Sequence, residues 1–243
     1  MKSFWVKSIF ILRLTSNSME KEGKIVVSKN GPYVVSNLPL SEGVIKTDNS
    51  GHPTSVEKTK DHKVDPEYCL CRCGNSKNKP FCDGAHIKIK FDGNESADEE
   101  EFLRSKDIVE GNNYILEDTI PLCSSAGFCH GKEGNTWDLV GSKDKKSNET
   151  GIKQSCNCIS GRLVVLDKKT KKPIEEKFKP SIMILKEPWK KVGSSIWALG
   201  EIPIISADGK KYNPRNRVAL CRCGNSTNKP LCDGSHINTG FKD

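Results

Sequence analysis

One 23-residue segment occurs twice in this chain. CLCRCGNSKNKPFCDGAHIKIKF at 69–91 returns as ALCRCGNSTNKPLCDGSHINTGF at 219–241, an offset of 150 residues without a gap and with 16 positions identical. Two copies are too few to stack into a solenoid, so the chain has to be built from a duplicated module and the sequence between its copies. The two segments also hold seven of the eleven cysteines. An odd number of cysteines in tight clusters favours metal ligation over a disulfide framework. Only 35% of the 243 residues are hydrophobic and 7% aromatic, against 29% charged. That composition argues against one large apolar core and for small modules stiffened by something besides burial. No run of 18 apolar residues is present, so no membrane span is expected. The net charge of +8 allows acidic partners without requiring them.

Each copy repeats the same donors at the same spacing: Cys71, Cys73, Cys82 and His86, then Cys221, Cys223, Cys232 and His236. In extended chain, side chains two apart lie on one face, so each C-x-C pair points at one site. Gly-Asn-Ser and Asn-Lys-Pro provide a tight loop that brings the third cysteine back. Cys82 and His86 are four apart and share a face if a helix begins at Asp83, where an aspartate can cap free N–H groups; Asp233 holds the same place in the second copy. Three thiolates and one imidazole therefore converge twice. Zinc is also held by Cys3His sets, but C-x-C is tight for a single tetrahedral ion.

Outside the repeats the chain reads as short strands and loops. Ile25-Val26-Val27 and Tyr33-Val34-Val35 are β-rich runs broken by Asn30-Gly31-Pro32 and Pro39. Trp197-Ala198-Leu199 and Pro203 read as the counterparts of Tyr33-Val34-Val35 and Pro39 in the second copy. Apolar runs at 163–166, 182–185 and 196–205 are strand-like in length and branching. Ser96 and Glu99 have capping-box spacing for a short helix behind an acidic boundary at 98–101. The lysine-rich stretch 141–153 reads as a surface loop. Residues 1–18, with three basic and no acidic residues around a short apolar stretch, are either a transit peptide or an extension upstream of a start at Met19. His52, His62 and His130 fall in polar contexts that suit solvated side chains, and the charges at 167–179 suit an ordinary surface.

The repeated segment resembles the CDGSH iron–sulfur family, whose signature is C-x-C-x2-S-x3-P-x-C-D-G-x-H. Both copies match at every signature position, including Ser76, Pro80, Asp83 and Gly84, and Ser226, Pro230, Asp233 and Gly234. Ala85 stands where the first CDGSH string would have serine. The resemblance implies a [2Fe–2S] cluster in each copy, with Cys71 and Cys73 on the inner iron and Cys82 and His86 on the outer; Cys221, Cys223, Cys232 and His236 divide likewise. It also implies one-electron transfer, or delivery of the cluster to an acceptor protein. Cys69 faces Ala219 in the alignment, so the module works without it, and a small buried filler is its expected role.

Four more cysteines lie between the copies: Cys123, Cys129, Cys156 and Cys158. CSSAGFC and CISGRL resemble the divergent single-cluster ferredoxin module, matched by Cys123, Cys129 and Cys158. Ala126 and Ile159 replace a cysteine and a proline of that pattern, and Cys156 is not at ferredoxin spacing, so a third cluster, a cluster-free ferredoxin-derived fold, zinc or a disulfide stay open.

The expected architecture is α+β, mostly short strands, with two cluster-binding modules at 20–105 and 181–243, a ferredoxin-like insert at 106–180, and an extension at 1–19. The duplication suggests that one chain forms a pseudo-twofold pair, with a homodimer as the alternative. The expected function is an electron carrier or cluster donor working with a redox partner or acceptor, not an enzyme, since no Gly-rich dinucleotide loop is found, and not a nucleic-acid binder. A structural zinc module and a redox subunit with a third cluster are the alternatives. Reduced, metal-ligating cysteines favour the cytoplasm, or the mitochondrial matrix if residues 1–18 are a transit peptide.

Overall fold

The computed structural model describes residues 22–243, so the reading of residues 1–18 lies outside the described residues. The first copy contributes β1 (Lys24–Val27), β2 (Tyr33–Ser36), β3 (Leu40–Thr47), β4 (Pro53–His62), β5 (Glu67–Leu70) and α1 (Ala85–Lys88). After α2 (Glu99–Arg104) come β6 (Lys106–Glu110), β7 (Tyr114–Thr119), β8 (His130–Gly131), β9 (Gly134–Asn135), α3 (Thr136–Gly141), α4 (Lys145–Cys156) and β10 (Leu163–Asp167). The second copy adds β11 (Ser181–Glu187), β12 (Val192–Leu199), β13 (Ile204–Ile205), β14 (Arg217–Leu220) and α5 (Ser235–Asn238). The fold is α+β with many short strands and few helices. Among the described residues no helix is long and apolar enough to cross a membrane.

Each copy makes an antiparallel hairpin, β1–β2 or β11–β12, whose second strand pairs with the strand leading into the repeated segment, β5 or β14. Neither copy completes its own sheet. β3 crosses from the first copy to lie parallel to β11, and β13 crosses from the second to lie parallel to β1. The exchange is reciprocal: Ile182 N donates to Pro39 O at 3.0 Å and Ile25 N to Pro203 O at 2.9 Å. The sheets β13-β1-β2-β5 and β14-β12-β11-β3-β4 share one core. Ile25, Tyr33, Val35, Leu40 and Leu70 meet Ile182, Ile184, Ile196 and Leu220 there, and all are 1% exposed or less. Burial at alternate positions of β1 and β2 is the period-2 pattern of a one-faced strand.

The register corrects the upstream alignment by one residue. Val34 lies opposite Cys69 and Trp197 opposite Ala219, so Tyr33-Val34-Val35 corresponds to Ile196-Trp197-Ala198. Pro39 and Pro203 do correspond, because each immediately precedes the crossing strand. Sequence alignment matched the aromatic residues, whereas backbone pairing matches Tyr33 to Ile196.

The insert packs α3 and α4 on an antiparallel sheet, β10-β7-β6. Residues 145–156 are helical, not the loop that their lysines suggested. Apolar periodicity is missing because the helix buries polar and small residues: Asn148, Gly151, Gln154 and Ser155. Asn148 Nδ2 donates to the carbonyls of Leu139, Val140 and Ser142, covering the free C-terminal carbonyls of α3. A Cβ at Gly151 would lie 2.8 Å from Val140 Cγ2, so the helices approach through glycine. The helix foreseen near Ser96 is α2, but Asp98 caps it by accepting from Glu100 N at 2.9 Å. Ser96 instead donates to Thr227 O at 2.6 Å, tying this segment to the second copy.

Where the two copies meet, the two repeated loops touch. A Cβ on Gly74 would lie 2.4 Å from Cys223 O, and one on Gly224 2.6 Å from Cys73 O; both glycines have positive φ, 75° and 84°. Gly74→Ala and Gly224→Ala are each expected to lower stability in urea by about 2 kcal/mol or more, combining left-handed strain with a backbone clash. Gly51→Ala, at φ 86° with open space around it, should cost only about 1 kcal/mol. Equal losses at all three positions would mean the loop contact carries no energy.

Candidate metal centre

The repeated segment leaves its strand, loops out and returns. Leu70 bridges Phe81, Cys71 N donates to Pro80 O at 2.8 Å, and Cys82 N to Cys69 O at 2.9 Å. In the second copy Leu220 bridges Leu231, Cys221 N donates to Pro230 O at 2.8 Å, and Cys232 N to Ala219 O at 2.8 Å. Ser76 and Ser226 brace the loop interior: each hydroxyl donates 2.7 Å to a carbonyl, Phe81 O or Leu231 O, and accepts from Asn78 N or Asn228 N at 3.0 Å. The cap of the short helix falls one residue later than the expected aspartate, at Gly84 and Gly234 in the left-handed region. Asp83 and Asp233 still accept N–H groups from the helix start, Ala85 and Ser235, and also from the far side of the loop, Lys77 and Thr227. One carboxylate thus pins the loop to the helix that carries the histidine.

The sequence-predicted donors come together in pairs. Cys71 Sγ lies 3.9 Å from Cys73 Sγ, and Cys82 Sγ lies 3.4 Å from His86 Nδ1. The second site repeats this, with 3.7 Å between Cys221 and Cys223 and 3.4 Å between Cys232 and His236 Nδ1. Among the described residues no three His, Cys, Asp or Glu side chains converge on one ion. Two separated donor pairs match a two-iron group better than a single tetrahedral zinc. In the second site the hydrogen bond between Cys221 and Cys223 pulls the Cys221 thiol down and pushes the Cys223 thiol up, with burial adding to the rise at Cys223. Burial pushes Cys232 up, and Cys73 in the first site to about 11, so a cation would be needed to hold these two thiols ionised.

The sites differ in their surroundings. His236 is 1% exposed, and its Nε2 lies 2.9 Å from Glu187 Oε1. Ser194 Oγ donates to that same oxygen at 2.7 Å, and Lys190 Nζ lies 2.6 Å from Oε2. Burial works to raise the Glu187 carboxyl, but the bonds from His236, Lys190 and Ser194 outweigh it and hold the group below its ordinary value. His86 is half-buried and its Nε2 faces Gly31. Sequence reasoning missed Glu187, a single acid among lysines on a hairpin longer than its first-copy counterpart. It also missed Tyr33, which reaches from the first copy to donate to Cys221 O at 2.7 Å.

Two smaller expectations are corrected. Cys69 is half-buried rather than enclosed, because Tyr68 and Leu70 take the inward face of β5. His62 is not solvated: its Nε2 lies 2.7 Å from Glu42 Oε1 and its ring stands edge-on to Phe81. His52 and His130 lie beside Asp48 and Trp137. In the charged stretch, Glu175 pairs at 2.6 Å with the buried Arg217.

Of the four insert cysteines, Cys123, Cys129 and Cys158 line one small cavity with Ser160 and Arg162. Cys156 lies elsewhere, donating its thiol to Ile174 O at 3.3 Å. Ala126 and Ile159 are buried beside Cys232, Trp197 and Phe128. The positions at which the insert departs from the ferredoxin pattern therefore serve packing against the second copy.

Asp233→Ala removes the acceptor of two backbone N–H groups and of the Thr227 and Ser235 hydroxyls. Loss of about 1–2 kcal/mol in thermal unfolding and lower iron content after purification are expected. Asp83→Ala is expected to lose less, since Lys77 and Ala85 offer no hydroxyls. Unchanged stability and iron in Asp233→Ala would show that the carboxylate does not order the loop.

No curated protein and no solved structure matches the chain. Two regions, residues 30–87 and 194–237, match the family of the iron-binding zinc finger of CDGSH type. The chain thus matches that iron-binding module twice, as a tandem repeat of two CDGSH motifs.

Proposed function

We propose that the protein holds two [2Fe–2S] clusters and works as an electron carrier or cluster donor with no substrate chemistry of its own. Cys71 and Cys73 would hold the inner iron of the first cluster, Cys82 and His86 the outer; Cys221 and Cys223, then Cys232 and His236, would do the same for the second. The observation that carries this reading is the repeated grouping of the donors into two pairs per site. The bound group supplies one-electron chemistry; the chain sets its charge, exposure and attachment. A neutral imidazole in place of a thiolate leaves less negative charge on the cluster and raises its potential. Because Nδ1 faces the paired thiol, the same nitrogen is where proton and metal compete, so acid weakens the outer attachment. A redox partner or an apo-acceptor protein is the implied partner, in the cytoplasm or the mitochondrial matrix.

Protein purified without oxygen should be red-brown, with about four irons and four acid-labile sulfides per chain. Colourless protein with stoichiometric zinc would overturn the proposal in favour of a structural module. Seven or eight irons would place a further cluster at Cys123, Cys129 and Cys158, the second reading favoured by their shared cavity. His86→Cys combined with His236→Cys should lower the potentials by on the order of 100 mV and slow cluster loss in mild acid. Cluster loss as fast as in the parent would show that histidine is not the weak ligand.

A further inference from the structure

The two sites share their donor motif but not their surroundings, and the outer donor pair of the second is the more enclosed. Cys232 and His236 are 2% and 1% exposed, whereas Cys82 and His86 are only half-buried. Two parts of the chain account for this. The first is the hairpin. Val27 faces Tyr33 in β1–β2, and Ile184 faces Ile196 in β11–β12, so the second hairpin is six residues longer between equivalent positions. Those extra residues carry Glu187, Lys190 and Ser194. The carboxylate they place on His236 Nε2 fixes which ring nitrogen keeps its proton, leaving Nδ1 free to bind metal, and makes the imidazole a stronger donor. Among the described residues nothing hydrogen-bonds His86 Nε2.

The second part is the insert. Ala126, Phe128 and Ile159 pack in one apolar cluster with Cys232. The loop carrying them closes on the start of α5 so tightly that a Cβ at Gly234 would lie 2.4 Å from Ser125 Oγ. Lys190 completes the closure by donating to Ser125 O at 2.8 Å while its Nζ lies against Glu187 Oε2. A Cβ at Gly84, the equivalent position in the first copy, would meet nothing within 4 Å. The first site's helix leaves Ile87 73% exposed, while its counterpart Ile237 is half-buried.

Resting on the two-cluster reading above, we propose that the two sites do different work: the cluster at Cys82 and His86 is exchangeable, and the one at Cys232 and His236 is retained, with Glu187 as the positioning residue that locks it. Exchange is ligand substitution. Cys82 and His86 are displaced first by the acceptor's ligands, bond for bond, and then Cys71 and Cys73. Each freed thiolate, and the freed imidazole of His86, takes the proton of the acceptor thiol that replaces it, and no electron moves.

The test uses the full-length, cluster-loaded chain at neutral pH under anaerobic conditions, with excess 2,2′-bipyridine as the probe and visible absorbance as the readout. Two phases of equal amplitude are expected, with rates differing by about tenfold or more. His86→Cys should slow only the fast phase. Glu187→Gln, which keeps the shape but not the charge, should speed only the slow phase by about tenfold and raise the reduction potential of one cluster. Ser194→Ala should speed the slow phase less, and it serves where Glu187→Gln does not load. One uniform phase, or variants that alter both phases alike, would overturn the proposal. Iron and sulfide counts far from four per chain before the chelator is added would instead overturn the two-cluster reading.

Discussion

Everything in this protein depends on two backbone pairings that cross between the copies, β3 with β11 and β13 with β1. Parallel strands cannot be joined by a tight turn, so a parallel partner has to come from a distant part of the chain. Here each copy takes it from the other. Because the trade is mutual, Leu40 and Ile204 sit in equivalent places beside Ile182 and Ile25, and the two halves share one core. The same pairing brings the two repeated loops against each other at Gly74 and Gly224. The cluster-binding modules are thus fixed relative to one another by main-chain geometry and not by a flexible linker.

That near-symmetric frame makes the departures from symmetry informative. The repeated loops themselves are closely alike, down to the serine brace and the aspartate that ties loop to helix. They diverge where non-repeated sequence touches them. Tyr33 of the first copy reaches Cys221 O, while its counterpart Ile196 has no hydroxyl to offer. The longer second hairpin sets a buried carboxylate on His236, and the insert covers Cys232. An imidazole already held by a carboxylate has lost much of its freedom before any metal binds, whereas His86 has kept it. Identical donor motifs thus come to lie in unequal surroundings because of residues outside the motif.

The insert shows how packing can claim positions that a cysteine motif would need. Cys123, Cys129 and Cys158 line one small cavity, but Ala126 and Ile159 are committed to the apolar contact with the second copy. A ligand and a buried anchor cannot occupy one position, and here the anchor is present. Its longest helix, α4, escaped notice for a related reason. Asn148 and Gly151 do the packing that leucines would do elsewhere, so no hydrophobic stripe advertises the element.

What sequence alone determined was the donor set, its duplication and the α+β class, because these rest on local spacing: C-x-C on an extended strand, Cys and His four apart across a helix start, and alternating burial in short strands. The tertiary structure decided which strands pair, and it corrected the upstream register by a residue because hydrogen bonding aligns backbones and ignores side-chain likeness. It also decided that Cys156 stands apart, that His62 has a carboxylate partner, and that Glu187 belongs to the second site. These facts depend on contacts between residues tens of positions apart, and no local pattern encodes such contacts. The candidate donors are written in short-range sequence; the difference in their surroundings arises only when the chain closes around them.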